Sequence, residues 1–561
     1  MDQITEHASR DKDTLLNLLA ELGQQFADAE DIGASLRAAV TESMRYLSAE
    51  AGSIFLVSEE GEQVECVACG GPVDISGLRM SAEEGIVGQV IRDRTCHLIR
   101  DARHDTAFFQ GVDQETGFET RSVLCAPLIV RGNLLGVLEL LNKASNDGLF
   151  DDADCHFLSV VASGVALALQ NARQATQMVE RERIRHELTL ARKIQASLLP
   201  KPQGPEFPFH GINLSAREVS GDFYHFQPLE NGQYLFALGD VAGKGVYAAL
   251  LVSRITTLIQ AFSHMLPTPG ALMARLNEEL MASGSSGVFV TLALGIYQPD
   301  SGRVRLANAG HLPPLLRDAA GHYDQWPARC PPLGVLDGVT FGEAGINVGR
   351  GTLFLYTDGL TESLADSPED TGIDDLCRLI DRYAWVLPDQ RTHAVVQAAT
   401  EGSDTRKDDV TFLYLDGAAG DIRLLAEQEF STTPDQLCEV RQLVSETLQD
   451  TGLTEESLTQ TVLAIGEGAM NIVQHGFKGG DNNGTMTVSL FRQASGITLR
   501  LSDNAPFFDP GTVQPRAAAR LKPGGLGLGL IRDLMDGVIY LPRSDALGNV
   551  LEMYKGFGGE N

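Results

Sequence analysis

Apolar and polar positions along this chain follow two periods. Strict alternation marks half-buried strands, and apolar positions three and four apart mark helices. Residues 233–238, Gln-Tyr-Leu-Phe-Ala-Leu, predict a strand. A glycine-rich turn follows, Gly239-Asp240-Val241-Ala242-Gly243-Lys244-Gly245, and helical patterns then run over 246–262 and 269–281. Apolar runs at 353–356 and 410–414 predict two further strands. Nearer the start, helices are predicted over 13–26 and 36–47, and strands over 51–57, 63–68, 122–130 and 134–141. The turn Arg131-Gly132-Asn133 joins the last two, and a helix over 157–171 closes this α+β pattern. A third pattern comes late: a strand at 424–430, helices at 434–450 and 455–476, a hairpin of 485–491 with 496–502, and a helix at 531–535.

Residues 157–199 hold no proline and one glycine, Gly164. Ile184, Leu188, Ala191, Ile194 or Gln195, and Leu198 recur at helical spacing with charges between them. That pattern predicts an amphipathic helix able to pair with its copy as a short coiled coil. A proline-rich break, 200–208, ends it.

At 561 residues the chain is too long for one core, and three or four domains are expected. Its 43% hydrophobic and 21% charged residues are those of folded globular protein. The net charge of −31 argues against nucleic acid or an anionic membrane as partner. The eight cysteines show no zinc spacing, so reduced thiols and a cytoplasmic location are the expectation. The N-terminus lacks a signal-peptide pattern, and the apolar stretch 157–169 is too short to span a bilayer.

Candidate chemistry concentrates in acidic turns. Asp240 follows one predicted strand and Asp358, in Tyr356-Thr357-Asp358-Gly359, another. Asp222 follows Ser220-Gly221, and Asp408 and Asp409 precede the run 410–414. Converging carboxylates repel one another in a low-dielectric cleft, and hard cations with all-oxygen shells cancel that repulsion. The turn at 239–245 is not a P-loop, because Leu238 and Gly245 occupy positions that need glycine and a hydroxyl residue. Any one Asp-Gly turn is ordinary. Together they resemble the bacterial metal-dependent protein phosphatases of the sporulation protein E type, as do Ala191-Arg192-Lys193-Ile194-Gln195 and Asn308-Ala309-Gly310-His311. The resemblance implies a β-sandwich with flanking helices and two Mn²⁺ or Mg²⁺ ions. Asp240 bridges them with help from the Val241 carbonyl; Asp358 and Asp408 hold one ion and Asp222 the other. Asp409 in place of Asp408 stays open. His225 stands where relatives often carry another Asp.

Two further resemblances frame this domain. Residues 117–128, 84–88 and 136–143 are similar to GAF sensor domains. Asn142, Lys143, Phe150 and Asp154 match the cyclic-nucleotide motif, but Cys155 replaces its Glu, which favours a structural lysine–aspartate pair and leaves the ligand unnamed. In the last domain Glu467 and Asn471 lie four residues apart on one helix, with His475 four further on. Asp503 ends a strand, and Gly525, Gly527 and Gly529 precede a helix. The set resembles the GHKL ATP-binding fold, closest to anti-sigma-factor serine kinases. By that resemblance Asp503 holds adenine, Asn471 the Mg²⁺ of Mg-ATP, the glycines its phosphates, and Glu467 activates the acceptor hydroxyl.

The expected fold class is multidomain α+β: a GAF domain at 13–172, a helical coiled-coil linker at 173–199, a phosphatase at 200–416 and a GHKL domain at 422–557. The implied function is dephosphorylation of a STAS-type anti-sigma-factor antagonist, with an ATP-dependent serine kinase on the same chain. A sigma factor is a further implied partner, and the GAF domain and linker imply a homodimer. The rivals are an anti-sigma scaffold that binds without phosphorylating, and a histidine-kinase-like sensor using His186.

Overall fold

In a computed structural model the residues described are 32–58, 60–102, 113–114, 117–144, 149–201, 203–282, 287–365, 371–401, 408–477, 484–507, 527–543 and 548–557. The helix expected at 13–26 and Gly525 lie outside them. Contacts divide the chain into two compact units, Met1–His186 and Glu187–Asn561.

The first unit opens with helix α1 (Ile32–Leu47), then strands β1 (Ala49–Val57), β2 (Gln63–Gly70) and β3 (Arg79–Ser81), helix α2 (Gly85–Asp93), and strands β4 (His97–Ile99), β5 (Val123–Val130) and β6 (Asn133–Lys143). The strands form an antiparallel sheet ordered β3-β2-β1-β6-β5-β4. Helix α3 (Asp152–Leu198) is 47 residues long. The lack of a breaker over 157–199 predicted one helix there, and α3 runs without interruption through the boundary expected at 172. By length and composition its apolar half passes the test for a membrane span, contrary to the shorter stretch read from sequence. Phe157, Leu158, Val161, Val165 and Leu169 are nevertheless buried there, and most join the α1 residues Leu36 and Val40 in one core. Cys96 and Cys155 are joined as a disulfide, which corrects the expectation of reduced thiols for this pair, while the other six cysteines are free. Asp154 beside it is ion-paired with Lys143.

In the second unit, β7 (Phe209–Leu214), β8 (Asp222–Pro228) and β9 (Tyr234–Val241) lead into α4 (Val246–Phe262) and α5 (Pro269–Ala282). After them come β10 (Val290–Gln298), β11 (Arg303–Ala309), β12 (Leu315–Arg317), β13 (Tyr323–Gln325), β14 (Glu343–Asn347) and β15 (Thr352–Tyr356). Helices α6 (Asp358–Glu362), α7 (Ile373–Arg382) and α8 (Pro388–Thr400) precede β16 (Val410–Asp416). Two five-stranded antiparallel sheets result, β14-β11-β10-β9-β8 and β13-β12-β15-β16-β7. Phe209, Tyr224, Phe236, Leu238 and Leu413 fill the space between them. Alternate residues of the first sheet, such as Phe223, Leu235 and Ala237, pack on α4 and α5 instead.

A third antiparallel sheet, β17-β18-β19-β21-β20, is built from β17 (Arg423–Ser431), β18 (Thr485–Arg492), β19 (Gly496–Asp503), β20 (Gly537–Pro542) and β21 (Asn549–Gly556). One face carries α9 (Gln436–Leu448), α10 (Glu455–Asn471) and α11 (Gly527–Leu534) through Val440, Ile465, Leu499 and Ile531. The opposite side chains, Arg500 and Glu552, meet the start of α8. Arg500 donates to Asp389 Oδ1 at 2.6 Å and to Glu552 Oε1 at 2.8 Å, and the Leu387 N–H donates to Glu552 Oε2 at 3.1 Å. A Cβ on Gly537 would lie 2.6 Å from the Trp385 ring, so this close packing needs glycine.

Candidate active site and nucleotide site

Strand register places the first acidic residues. Asp222 on β8 is directly opposite Asp240 on β9, and Asp240 is opposite Thr291 on β10. The three form a row at the strand ends, facing the second sheet, because side chains opposite one another share a face. Across the sandwich, β15 ends two residues before Asp358, and Asp408 and Asp409 precede β16. A Cβ on Gly359 would lie 2.0 Å from the Asp409 carbonyl, so the residue after Asp358 must be glycine for these turns to touch.

Asp222 is buried, and its Oδ2 accepts from Thr357 Oγ1 at 2.6 Å and Thr411 Oγ1 at 2.9 Å. Those hydroxyls tie the two sheets together. The Asp222 and Asp240 side chains stand on the same face of neighbouring strands, directly opposite one another. Burial, then repulsion from Asp358, pushes Asp240 up to about 6. Burial and Asp240 hold Asp222 well above the usual carboxylate range, and burial and Asp408 raise Asp358. The carboxylates from both sheets therefore face one cleft.

Asp408 and Asp409 separate by their partners. Asp409 accepts from the Ala216 N–H at 2.7 Å, the Gly221 N–H at 2.7 Å and Ser220 Oγ at 2.9 Å, so both its oxygens are committed to one loop. Asp408 is half exposed and pairs with Lys244 Nζ at 2.8 Å. Lys244 sits between Gly243 (φ +115) and Gly245 (φ +88), left-handed positions that suit glycine. Gln195, in the last turn of α3, grips the same loop: its Nε2 donates to the Ser220 carbonyl at 2.6 Å and its Oε1 accepts from the Ser220 N–H at 3.0 Å. The Val241 N–H donates to the Gly221 carbonyl at 3.1 Å, so the Val241 backbone lies beside that loop.

Among the described residues, no three His, Cys, Asp or Glu side chains stand close enough together to chelate an ion unaided. The donor set still fits hard divalent cations: it is all oxygen, carries excess negative charge, and has one ammonium, Lys244, against it. His225 does not extend that set. Strand alternation turns it away from Asp222, and its Nε2 lies 2.9 Å from Gln227 Oε1.

In the third sheet's domain Glu467 and Asn471 come together with Gly527. A Cβ there would lie 3.2 Å from the Asn471 amide and 3.3 Å from Glu467 Oε2. The Asn471 Nδ2 atom is buried and without a hydrogen-bond partner among the described residues, as a ligand site would leave it. Asp503 is buried and accepts from the Ala505 N–H at 2.8 Å and the Asn549 amide at 2.9 Å. Gly529 is exposed and faces open space rather than this cluster. The expected helix 455–476 turns π-helical at Ile472–Gly476, so His475 leaves the Glu467–Asn471 face and is exposed. In the first unit a cavity of about 50 Å³ is lined by Ala51, Ser53, Cys69, Asp113, Phe118 and Leu141.

Thr291, Thr357, Thr411 and Lys244 were not singled out as site residues from sequence. Thr357 and Thr411 lie within two residues of the predicted aspartates, which was the one local signal.

The fold and these sites define a multidomain α+β protein that carries a sensor, a phosphatase-type sandwich and an ATPase-type domain. Family models match each part: the GAF domain over residues 31–169, stage II sporulation protein E over 230–417 and the histidine kinase-like ATPase domain over 430–555. Among characterised proteins, phosphoserine phosphatase RsbU of Bacillus subtilis (strain 168) is 27% identical over 231 residues, 40% of this chain and 67% of that protein. Phosphoserine phosphatase RsbP of the same organism is 29% identical over 187 residues, 32% of this chain and 46% of that protein. The chain thus spans about two-thirds of the one and under half of the other. A crystal structure of the RsbU and RsbW domains of Rv1364c from Mycobacterium tuberculosis is 21% identical with a TM-score of 0.35, covering 62% of this chain and 93% of that one.

Proposed function

We propose that this chain is a signal-regulated, metal-dependent protein phosphatase that dephosphorylates phosphoserine or phosphothreonine on a small STAS-type anti-sigma-factor antagonist. The convergence of Asp222 and Asp240 with Asp358 and Asp408 from two sheets carries the reading. Two phosphoserine phosphatases among its relatives support it. Two Mn²⁺ or Mg²⁺ ions, when bound, activate a water and hold the phosphoryl oxygens for in-line attack. Asp240, central in the row, would be the carboxylate shared by the two ions, with the Val241 carbonyl as a further oxygen donor. Asp358 and Asp408 serve one position and Asp222 the other. Asp409 is a loop-holding residue on this reading.

The ATPase-type domain is proposed to bind Mg-ATP and phosphorylate the same antagonist. Asp503 takes the adenine, Asn471 the Mg²⁺, Gly525 and Gly527 the phosphates, and Glu467 the acceptor hydroxyl. Exposed Ile184 and Ile194, with half-buried Leu188, Ala191 and Leu198 on the same face of α3, suit pairing with a second copy, and a homodimer in the cytoplasm is the proposed working state. The GAF cavity takes a small ligand.

The test is incubation of purified protein with phosphorylated antagonist, with and without Mn²⁺. Mn²⁺-dependent phosphate release that Asp240→Asn abolishes is the expected result. Transfer of labelled γ-phosphate from ATP to unphosphorylated antagonist, lost in Glu467→Gln, checks the kinase.

A further inference from the structure

His311 is buried in the middle of the sandwich, outside the carboxylate set. Its ring spans two elements that carry the acidic cleft. Nδ1 lies 2.9 Å from Thr291 Oγ1, and Nε2 lies 3.2 Å from the Tyr356 carbonyl oxygen. A carbonyl only accepts, so Nε2 carries the proton and Nδ1 accepts from the threonine hydroxyl. Thr291 is the strand neighbour of Asp240, and Tyr356 is the last residue of β15, two before Asp358. The backbone of His311 is fixed as well: its N–H donates to Asn308 Oδ1 at 2.9 Å, and the Asn308 amide donates to its carbonyl at 3.2 Å.

We propose that His311 is a positioning residue that sets the distance between the Asp240 and Asp358 carboxylates, and so how tightly the two would hold divalent cations. Several features agree. The ring touches neither carboxylate, so it takes no part in the chemistry. It reaches one sheet through a hydroxyl beside Asp240 and the other through a carbonyl beside Asp358. Burial lowers its basicity to about 4, so it stays neutral and keeps one tautomer wherever the carboxylates are ionised. A charged imidazolium would donate from both nitrogens and reverse the Thr291 bond, turning the hydroxyl's proton elsewhere. The opposite end of the row is fastened independently by Thr357 and Thr411 on Asp222. His311 is the corresponding fastener on the Thr291 side.

The inference rests on the phosphatase reading, and its test keeps the two apart. Full-length wild type, His311→Phe, His311→Gln and Thr291→Val are titrated with Mn²⁺ by calorimetry, melted in EDTA, and assayed with p-nitrophenyl phosphate. His311→Phe keeps the ring volume without the bonds. It is expected to bind Mn²⁺ about tenfold more weakly, as partners behind metal ligands do, with kcat falling more than KM changes. His311→Gln, which can still donate to the Tyr356 carbonyl, should recover part of that loss. Thr291→Val removes one bond from the other side and covers the case in which His311→Phe fails to fold. Wild-type Mn²⁺ affinity in Thr291→Val and in whichever His311 variants fold would overturn the inference, even if their melting points dropped. Wild type that binds Mn²⁺ but releases no phosphate would overturn the phosphatase reading and leave the Mn²⁺ comparison legible.

Discussion

The acidic cleft and the ionic junction around Arg500 are both made of carboxylates removed from water, yet they are completed differently. At the junction Glu552 has Arg500 on one oxygen and the Leu387 N–H on the other, while Asp389 shares the same guanidinium. In the cleft the groups facing Asp240 are other carboxylates, Asp222, Asp358, Asp408 and Asp409. Burial raises both Glu552, to about 7, and Asp240, to about 6. A raised carboxyl alone therefore does not mark a functional site. What separates the two is whether the chain supplies the donors. The junction is closed by its own residues and holds two domains together. The cleft leaves charge uncompensated at a surface opening, which costs stability unless something cationic arrives.

The sharpest way to break this contrast is Asp240→Asn. It should lower phosphate release by about a thousandfold or more, since it removes a shared oxygen donor worth several kcal/mol to the transition state. It should also raise the melting temperature of the metal-free protein, because it removes repulsion. The pH dependence has a defined sign. The folded-state value of Asp240 lies above its ordinary 3.8, at about 6. Its contribution to stability is therefore complete below about pH 4 and is lost as pH climbs through 6. Metal-free wild type should weaken over that window more than Asp240→Asn does, and saturating Mn²⁺ should close the gap. A variant that melts lower than wild type in EDTA at pH 7 would mean that Asp240 is structural.

The junction predicts the reverse. Arg500→Met leaves Asp389 and Glu552 buried without their cation and should cost about 3–5 kcal/mol. Combining it with Asp389→Asn and Glu552→Gln should return most of that loss, since neutral groups need no guanidinium. Denaturant unfolding of the single and triple variants checks this. Equal losses in both would mean that the charges hardly matter and packing around Trp385 and Gly537 holds the domains.

Much of the fold was legible because the periods are local. The 246–262 helix was read to the residue; the strand before Asp240 was read from its alternation but ended at 238, whereas β9 continues to Val241 and carries Asp240 itself. GAF and ATPase-type regions were recognisable from short motifs. The limits were physical. Alternation reveals which face a residue takes but not which strand lies opposite, so the Asp222–Asp240–Thr291 row needed the register. Cys96 and Cys155 are 59 residues apart, and Asp389 and Arg500 are 111 apart; neither spacing is periodic. The long helix was legible over 157–199 because no proline interrupts it, but its start at Asp152 was not, since the first turn carries acidic rather than apolar residues. The π-turn at Ile472–Gly476 that removes His475 from the Glu467 face leaves no pattern in the residues.

The Asp408–Asp409 pair was undecidable from sequence, because adjacent carboxylates are equivalent by motif. Their partners now make them the finest test of the contrast, as one lies on each side of it. Asp409 resembles the junction: three donors from 216–221 satisfy it. Asp409→Asn should lower stability by about 1–3 kcal/mol, as it weakens charge-assisted bonds to two part-buried amides, and any loss of activity should track the loosened Asp222 loop. Asp408 resembles the cleft, meeting the half-exposed Lys244 ammonium at the rim. Asp408→Asn should change stability by less than about 1 kcal/mol, the scale of an exposed ion pair, yet weaken Mn²⁺ binding. Melting curves in EDTA paired with Mn²⁺ calorimetry separate them. If Asp409→Asn weakens Mn²⁺ binding more than Asp408→Asn while melting unchanged, the two aspartates have exchanged roles and the division between satisfied and unsatisfied carboxylates fails at this site.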